Sequence, residues 1–180
     1  NMQIPVYVYK TPTTVKEAKA TIHEIAGLLH ASDESMIASM DADLKTVEDL
    51  ANKHTGPRPV VAFYSQFGLN GGKGSTFDDM CKYMKVTNAA AELGLGAYDN
   101  GTREDLIRMN PDVIIIPSAS YTSDGYKPAS ADQLYSDPAL QGVKAIANHR
   151  VFLVDSAQIM SYSQFMTRAM VSMTQYIYSM

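Results

Sequence analysis

GGKGSTFDDMCKYMKVTNAAAELGLGAYDNGTREDLIRMNPDVIIIP, residues 71 to 117, sets a glycine-rich turn, two capped helices and an apolar strand in fixed order. Ser75 with Asp78, and Thr102 with Asp105, are hydroxyl–acid pairs three residues apart. Each pair marks a helix start, because the hydroxyl accepts an orphan N–H and the acid reaches back toward the cap. Phe77, Cys81 and Met84 recur at the three- and four-residue spacing of one buried helix stripe. Asn110-Pro111-Asp112 then ends the second helix, since a residue before proline leaves the helical region. Val113 to Ile116 is an unbroken apolar run, the pattern of a strand covered on both faces. Strand and helix in alternation predict parallel strands joined by crossover helices, hence an α/β fold.

The same alternation extends outward. Val60 to Tyr64 reads as a strand, Gly68 to Gly74 as the turn into the helix from Ser75, and Leu95 to Tyr98 as a short strand. Downstream come helices over Ala131 to Tyr135 and Pro138 to Ala147, a strand over Val151 to Val154, and a helix over Gln164 to Tyr178. Met166, Met170, Met173 and Ile177 line that last helix, where thioethers serve as adaptable core filler. Upstream, Ile4 to Tyr9 reads as a strand. Two helices follow it, with stripes Val15, Ala18, Ile22, Ile25, Leu29 and Met36 or Ile37, Met40, Leu44, Val47, Ala51. They divide at Ala31 to Asp33, with Asp33 or Ser32 as cap, and Gly56-Pro57 with Pro59 closes the region. The pattern predicts a three-layer α/β sandwich with a mostly parallel sheet, preceded by helices.

Bulk properties exclude several classes. The 180 residues suit one α/β domain, and no apolar run approaches the roughly 20 residues that span a bilayer. A net charge of −4, with 15 dispersed Lys and Arg, argues against nucleic acid as a partner. The single cysteine, Cys81, rules out an intrachain disulfide and a cysteine zinc site, and its stripe position predicts a buried thiol. The four histidines show no metal-ligand spacing and no G-x-S-x-G elbow occurs, so neither metal site nor cofactor is expected. The Gly68 to Gly74 turn fails as a phosphate loop: Phe67 stands where its first glycine belongs, and Gly74 follows Lys73 in place of Ser or Thr. The chain begins Asn-Met and enters almost directly into a strand without a signal peptide, which reads as a fragment of a longer protein.

What remains is binding chemistry. The loops after the strands are rich in aromatic and hydroxyl groups: Tyr64, Ser65, Gln66 and Phe67; Tyr98; Ser118, Ser120, Tyr121 and Tyr126; Met160, Tyr162 and Ser163. Ligands of open parallel sheets gather outside the carboxyl ends of the strands, so these loops are expected to share one rim. Tyrosines there are suited to stack on a bulky ligand and to donate phenolic hydrogen bonds.

The Gly72-Lys73-Gly74 turn, the Asn88-Ala-Ala segment, the Glu-bearing helix and the NPDVIII strand, followed by DPALQGVKAIANHRVFLVDS (137 to 156) and preceded by IPVYVY (4 to 9), resemble one family. It is the C-terminal, chelatase-like and Rossmann-like lobe of the solute-binding proteins of ABC importers for ferric siderophores, haem and cobalamin. The resemblance implies that residues 1–9 are the last strand of an N-terminal lobe, 10–56 the interlobe helices and 57–180 the C-terminal lobe. It implies a non-enzymatic, monomeric, extracytoplasmic protein, periplasmic or lipid-anchored. Such a protein carries half of a site for a ferric siderophore, haem or corrinoid between its lobes. Tyr64, Ser65, Phe67, Lys73, Tyr98, Tyr121 and Tyr162 would line this half, and Glu104 would dock on arginines of the importer permease. With only Lys73 and Lys127 as rim cations, a neutral hydroxamate complex or a corrinoid fits better than an anionic catecholate. The division at Ala31 to Asp33 departs from the family's long interlobe helix. The alternative is a cytosolic chelatase-like enzyme or metallocofactor-assembly domain of the same architecture.

Overall fold

The computed structural model describes residues 6–122 and 125–179, with the side chains of Tyr121 and Thr122 outside that description. Helices α1 (Val15–Leu28) and α2 (Glu34–Asn52) lead into β1 (Val60–Ser65), β2 (Gly68–Asn70), α3 (Thr76–Met84), β3 (Thr87–Asn88), α4 (Ala89–Glu92) and α5 (Arg103–Met109). Then follow β4 (Val113–Pro117), β5 (Ala119–Thr122), β6 (Gly125–Pro128), α6 (Asp132–Ser136), α7 (Lys144–Ala147), β7 (Val151–Val154), α8 (Ser156–Ile159) and α9 (Phe165–Tyr178).

The sheet order is β2-β1-β4-β7. β1, β4 and β7 are parallel, in register at Phe63, Ile115 and Phe152. β3 runs parallel to the first half of β1, and β2 folds back antiparallel on its second half, so the two short strands share one edge. β5 and β6 form a separate hairpin.

Side-chain alternation divides the apolar strands between two cores. Val61, Phe63, Val113, Ile115 and Val154 face α2, α3 and α9, where Met40, Val47, Phe77, Met84, Met166, Met170 and Ile177 fill the layer. Ala62, Ile114, Ile116 and Val151 face the other way, onto Ala89, Ala90, Leu106, Leu140 and Ile146. This is the mostly parallel three-layer α/β sandwich that the sequence predicts. Cys81 lies in the first core, and burial pushes its thiol well above the usual range.

Helix directions follow from side-chain pairs at their ends. Arg150, just before β7, donates to the carbonyls of Tyr176 and Ile177 at 3.1 and 2.9 Å, so α9 runs antiparallel to β7 and begins at the carboxyl end of the strands. Thr167 donates to Asp43 at 2.7 Å, and the His54 ring meets Tyr178 at 5.0 Å; both pairs lie 124 residues apart, so α2 runs parallel to α9 without slippage. At that offset Asp41 is level with the start of α9, and the α2 residues before it project roughly 10 Å farther at 1.5 Å per residue. Lys19–Asp41 and His23–Asp33 pairs then fix α1 antiparallel to α2.

Several elements differ from the sequence reading. Of the expected strand Ile4 to Tyr9, Ile4 and Pro5 lie outside the described residues, and Val6–Tyr9 pairs with no strand among the described residues. The segment instead lies along α1, with the Tyr7 phenol raised by its neighbour Glu24 and Lys10 3.5 Å from Glu17. Three extended residues and seven helical residues both span about 10 Å, so the match is geometric. Leu95 to Tyr98 is a turn, held by one bridge between Gly96 and Lys73. Pro138 to Ala147 divides into a 3₁₀ turn over Pro138–Leu140 and the short α7. Leu29 is exposed beyond the end of α1. Asp33 precedes α2 but turns its carboxylate to His23, leaving Ser32 Oγ to accept the Glu34 N–H at 3.3 Å.

Candidate functional site at the carboxyl ends of the strands

The glycine turn and the Asn-Ala-Ala segment meet in one buried network. Asn88 Nδ2 donates to the Gly71 carbonyl at 2.9 Å and to Asp78 Oδ1 at 3.1 Å, while its Oδ1 accepts the Ala90 N–H at 3.2 Å. Asp78 also accepts the Gly74 N–H, and Ser75 caps α3 through the Asp78 N–H. The Ser75–Asp78 pair therefore caps in one direction only, the carboxylate having been diverted to brace the turn. Gly72 is required here because an added Cβ would lie 2.3 Å from the Leu95 carbonyl oxygen. This motif positions the turn and occupies its polar groups.

Around that scaffold the named side chains fall into two groups. Beside β1 and β2 lie Tyr64, Ser65, Phe67, Lys73 and Tyr98. Tyr64 is half-buried on the second core and its phenol is raised by burial, with Arg103, Asp137 and Glu104 close enough to act on it electrostatically. Phe67, at the β1–β2 turn, is 67% exposed, and Lys73 is exposed while its N–H donates to the Leu95 carbonyl at 2.7 Å. Tyr98 stands 94% exposed in the loop beyond β2. At the other end of the sheet, after β7, come Met160, Tyr162 and Phe165, exposed by 62, 53 and 40%. Three strand spacings separate β2 from β7, about 14 Å, so Tyr98 and Tyr162 are at opposite ends of the rim. Tyr121 lies in β5, its side chain outside the described residues.

Ser65, Ser118, Ser156, Ser161 and Ser163 turn inward. Ser65 Oγ accepts from Asn70 Nδ2 at 2.6 Å and from the Phe67 N–H at 3.2 Å. Ser156 Oγ holds the Ala119 N–H at 2.9 Å, and Ser118 Oγ accepts the Ser156 N–H at 3.2 Å. Ser161 and Ser163 bond to each other at 2.5 Å. Hydroxyls fasten the loops, and rings and a thioether are left facing outward. Sequence reasoning passed over Phe165 as the first residue of a core helix; three large apolar residues within the six of 160–165 were the signal for it.

Glu104 sits in the first turn of α5, 73% exposed, 3.8 Å from Arg103. Arg103 is engaged with Asp137 at 3.0 Å, and Asp137 is held below the usual carboxylate range first by the Ala139 N–H and then by Arg103. The capping box of Thr102 and Asp105 is complete. Asp105 is thus occupied by the helix start, whereas Glu104 has no structural task of that kind.

Following the chain directions, the hairpin tip of α1 and α2, the start of α9 and the loops after β1, β4 and β7 all gather at one end. Exposed there are Leu28, Leu29, Phe67, Met160, Tyr162 and Phe165, together with Val6 and Val8 at 83% each. Two open hollows flank α1, one of 580 Å³ against α2 and one of 360 Å³ under residues 7–12.

A mostly parallel, open α/β sheet with its unfilled apolar surface at the strand carboxyl ends has the layout of a ligand-binding lobe. Residues 2–158 match the family model described as periplasmic binding protein, and the chain belongs to that family. Its membership implies action outside the cytoplasm. The fold is similar to that of a haem-binding periplasmic protein from Roseiflexus, with TM-score 0.78 and 23% identity over 94% of this chain and 65% of that one. It is also similar to a possible iron-binding periplasmic solute-binding protein from Staphylococcus epidermidis, with TM-score 0.76 and 17% identity over 96% of this chain and 66% of that one. A third likeness is to an ABC-type Fe3+-hydroxamate transport protein from Saccharomonospora viridis, with TM-score 0.74 and 17% identity over 92% of this chain and 56% of that one. The chain spans between about half and two thirds of these structures. No curated protein sequence matches it.

Proposed function

We propose that this chain is the C-terminal lobe, with its interlobe helices, of a solute-binding protein that delivers a ferric siderophore, haem or corrinoid to an ABC importer. Residues 1–9 would supply the last strand of an upstream lobe, 10–56 the connection and 57–180 the lobe itself. The observation that carries the reading is the gathering of exposed apolar side chains at the strand carboxyl ends. Soluble surfaces rarely leave such groups clustered unless a partner or ligand covers them. Val6 and Val8 fit the same account, since an extended segment with one bare β-branched face is suited to join a sheet edge. Glu104 would dock on arginines of the permease, and the protein would work as a monomer without chemistry of its own. Family membership favours delivery over the enzymatic alternative.

Calorimetry with hemin, cyanocobalamin and a ferric trihydroxamate tests this on the 180-residue chain and on the polypeptide extended upstream. The extended protein should bind one of them at least a hundredfold more tightly than the chain alone. Sub-micromolar affinity for the chain alone would mean that the pocket is complete without a second lobe.

A further inference from the structure

We infer that the base of the lobe, at the amino ends of the strands and opposite the rim, is a docking surface for an extended polyanion of repeated phosphate groups. Cations that are scattered along the sequence gather there in space. Helices α2, α3 and α9 all finish at this end, and Lys53, Arg58, Lys85 and Arg150 surround the last turn of α9. Arg150 donates to the Tyr176 and Ile177 carbonyls at 3.1 and 2.9 Å. The Tyr178 phenol donates to the carbonyls of Met84 at 2.8 Å and Lys85 at 3.3 Å. Burial raises that phenol, and the nearby Arg58 pulls it back. Lys53 adjoins His54, whose ring packs on Tyr178, and Asn52, which accepts from Lys85 Nζ.

What sets these four apart is that none has a carboxylate partner among the described residues, whereas seven other Lys and Arg residues do. Lys16, Lys73 and Arg168 also have none, but they belong to the start of α1, the glycine turn and the start of α9. Of the acids at the base, Asp49 is paired with Lys45 at 3.0 Å and Asp112 with Lys144 at 3.3 Å. Glu48 is left against four cations. The carbonyl ends of the three helices carry about half a negative charge each, so they do not use up the excess. Lys53, Arg58 and Lys85 are exposed and Arg150 is half-buried. Such a surplus is unexpected in a chain of net charge −4.

Four charges held by separate segments suit several phosphates in a row better than one small anion. The choice between a polymer and a lipid surface rests on the transport reading. If Glu104 and the rim face the importer, the base faces away from the membrane that holds it. Headgroups of that membrane would not reach the base of a docked protein, and a polymer on the far side would.

The test titrates the upstream-extended protein with long-chain polyphosphate by calorimetry over a range of salt. The logarithm of the affinity should fall against that of the salt concentration with a slope of about −3, near −0.7 for each of four neutralised phosphates. Lys53→Gln, Arg58→Gln and Lys85→Gln together should weaken the polymer at least about tenfold and bring the slope to about −1 or shallower. Lys16→Gln, which removes an unpaired cation away from the base, should have little effect. Circular dichroism melting should be unchanged, because these side chains are exposed. Affinity for hemin, cyanocobalamin and a ferric trihydroxamate should be the same with and without polymer. Polymer that competes with those ligands, or that the triple variant binds like the wild type, overturns the assignment of the base. Tight binding to phosphatidylglycerol vesicles without binding to polyphosphate overturns the polymer in favour of a lipid surface, and inorganic phosphate binding as tightly as polyphosphate overturns it in favour of a single-anion site. No polymer binding by a protein that binds one of the three ligands overturns this inference and leaves the transport reading standing. Polymer binding at the base with none of the three ligands bound supports the surface and overturns the transport reading.

Discussion

Replacing Asn88 by alanine should be among the most damaging single changes in this chain, even though it deletes only an amide. Asn88 is 6% exposed and joins three segments: the Gly71 carbonyl, the Asp78 carboxylate and the Ala90 N–H. Losing the cap on α4 costs about 1 kcal/mol. The Gly71 carbonyl would then be unpaired beside a filled core, at about 1–3 kcal/mol for a buried group. Asp78 keeps the Gly74 N–H and Lys82 at 3.7 Å, so its loss is small. The expected total is about 3 kcal/mol, or roughly 6–12 °C in Tm for a chain of this size. Urea unfolding followed by circular dichroism measures it directly. Asn88→Asp is the sharper companion: it keeps an acceptor for Ala90 but places a second carboxylate against Asp78, so its deficit should shrink as pH falls into the carboxylate range. A loss below about 0.5 kcal/mol for Asn88→Ala would mean that water replaces the amide at no cost, and the bracing role would be refuted.

Gly72→Ala should cost about 1–3 kcal/mol by driving a methyl into the Leu95 and Gly96 carbonyls, and faster hydrogen exchange across 95–101 would report the displaced loop. Asp105 is held below the ordinary aspartate range, first by the Thr102 N–H, then by the Thr102 hydroxyl and Arg108. Its ionised form therefore stabilises the fold fully above about pH 4 and loses that effect as pH falls through the lowered value. Asp105→Asn should flatten the acid limb of a stability-against-pH curve, and an unchanged limb would contradict this. Glu104→Arg should leave melting and ligand affinity intact while reducing uptake through the importer several-fold at low salt; normal uptake would reduce Glu104 to a helix-start residue.

Local chemistry was enough for much of the fold. The Thr102–Asp105 box, the Ser75 cap and the methionine stripe of α9 depend on residues three or four apart, and the Val113–Ile116 strand on consecutive ones; all stand where the sequence places them. The α/β class follows from them because a buried parallel strand and an amphipathic helix have few ways to cover one another. Leu95 to Tyr98 was misread for the complementary reason. Its composition suits a strand, but β2 already occupies the pairing edge of β1, so the segment is left as a turn held by the bridge between Gly96 and Lys73.

The site was legible as a set of residue types and not as an arrangement. The sequence by itself determined that tyrosines, serines and a methionine would follow the strands, because strand ends are fixed by local pattern. Only the tertiary structure decided that the serines would turn inward to tie β4 to β7 and to close the α8–α9 loop, leaving the rings outside. It also decided that Tyr98 and Tyr162 would stand at opposite ends of the sheet, since strand order is set by crossovers and by competition for edges. Those choices depend on contacts tens of residues apart, whose free energy is shared among many partners and leaves no periodic trace in the chain.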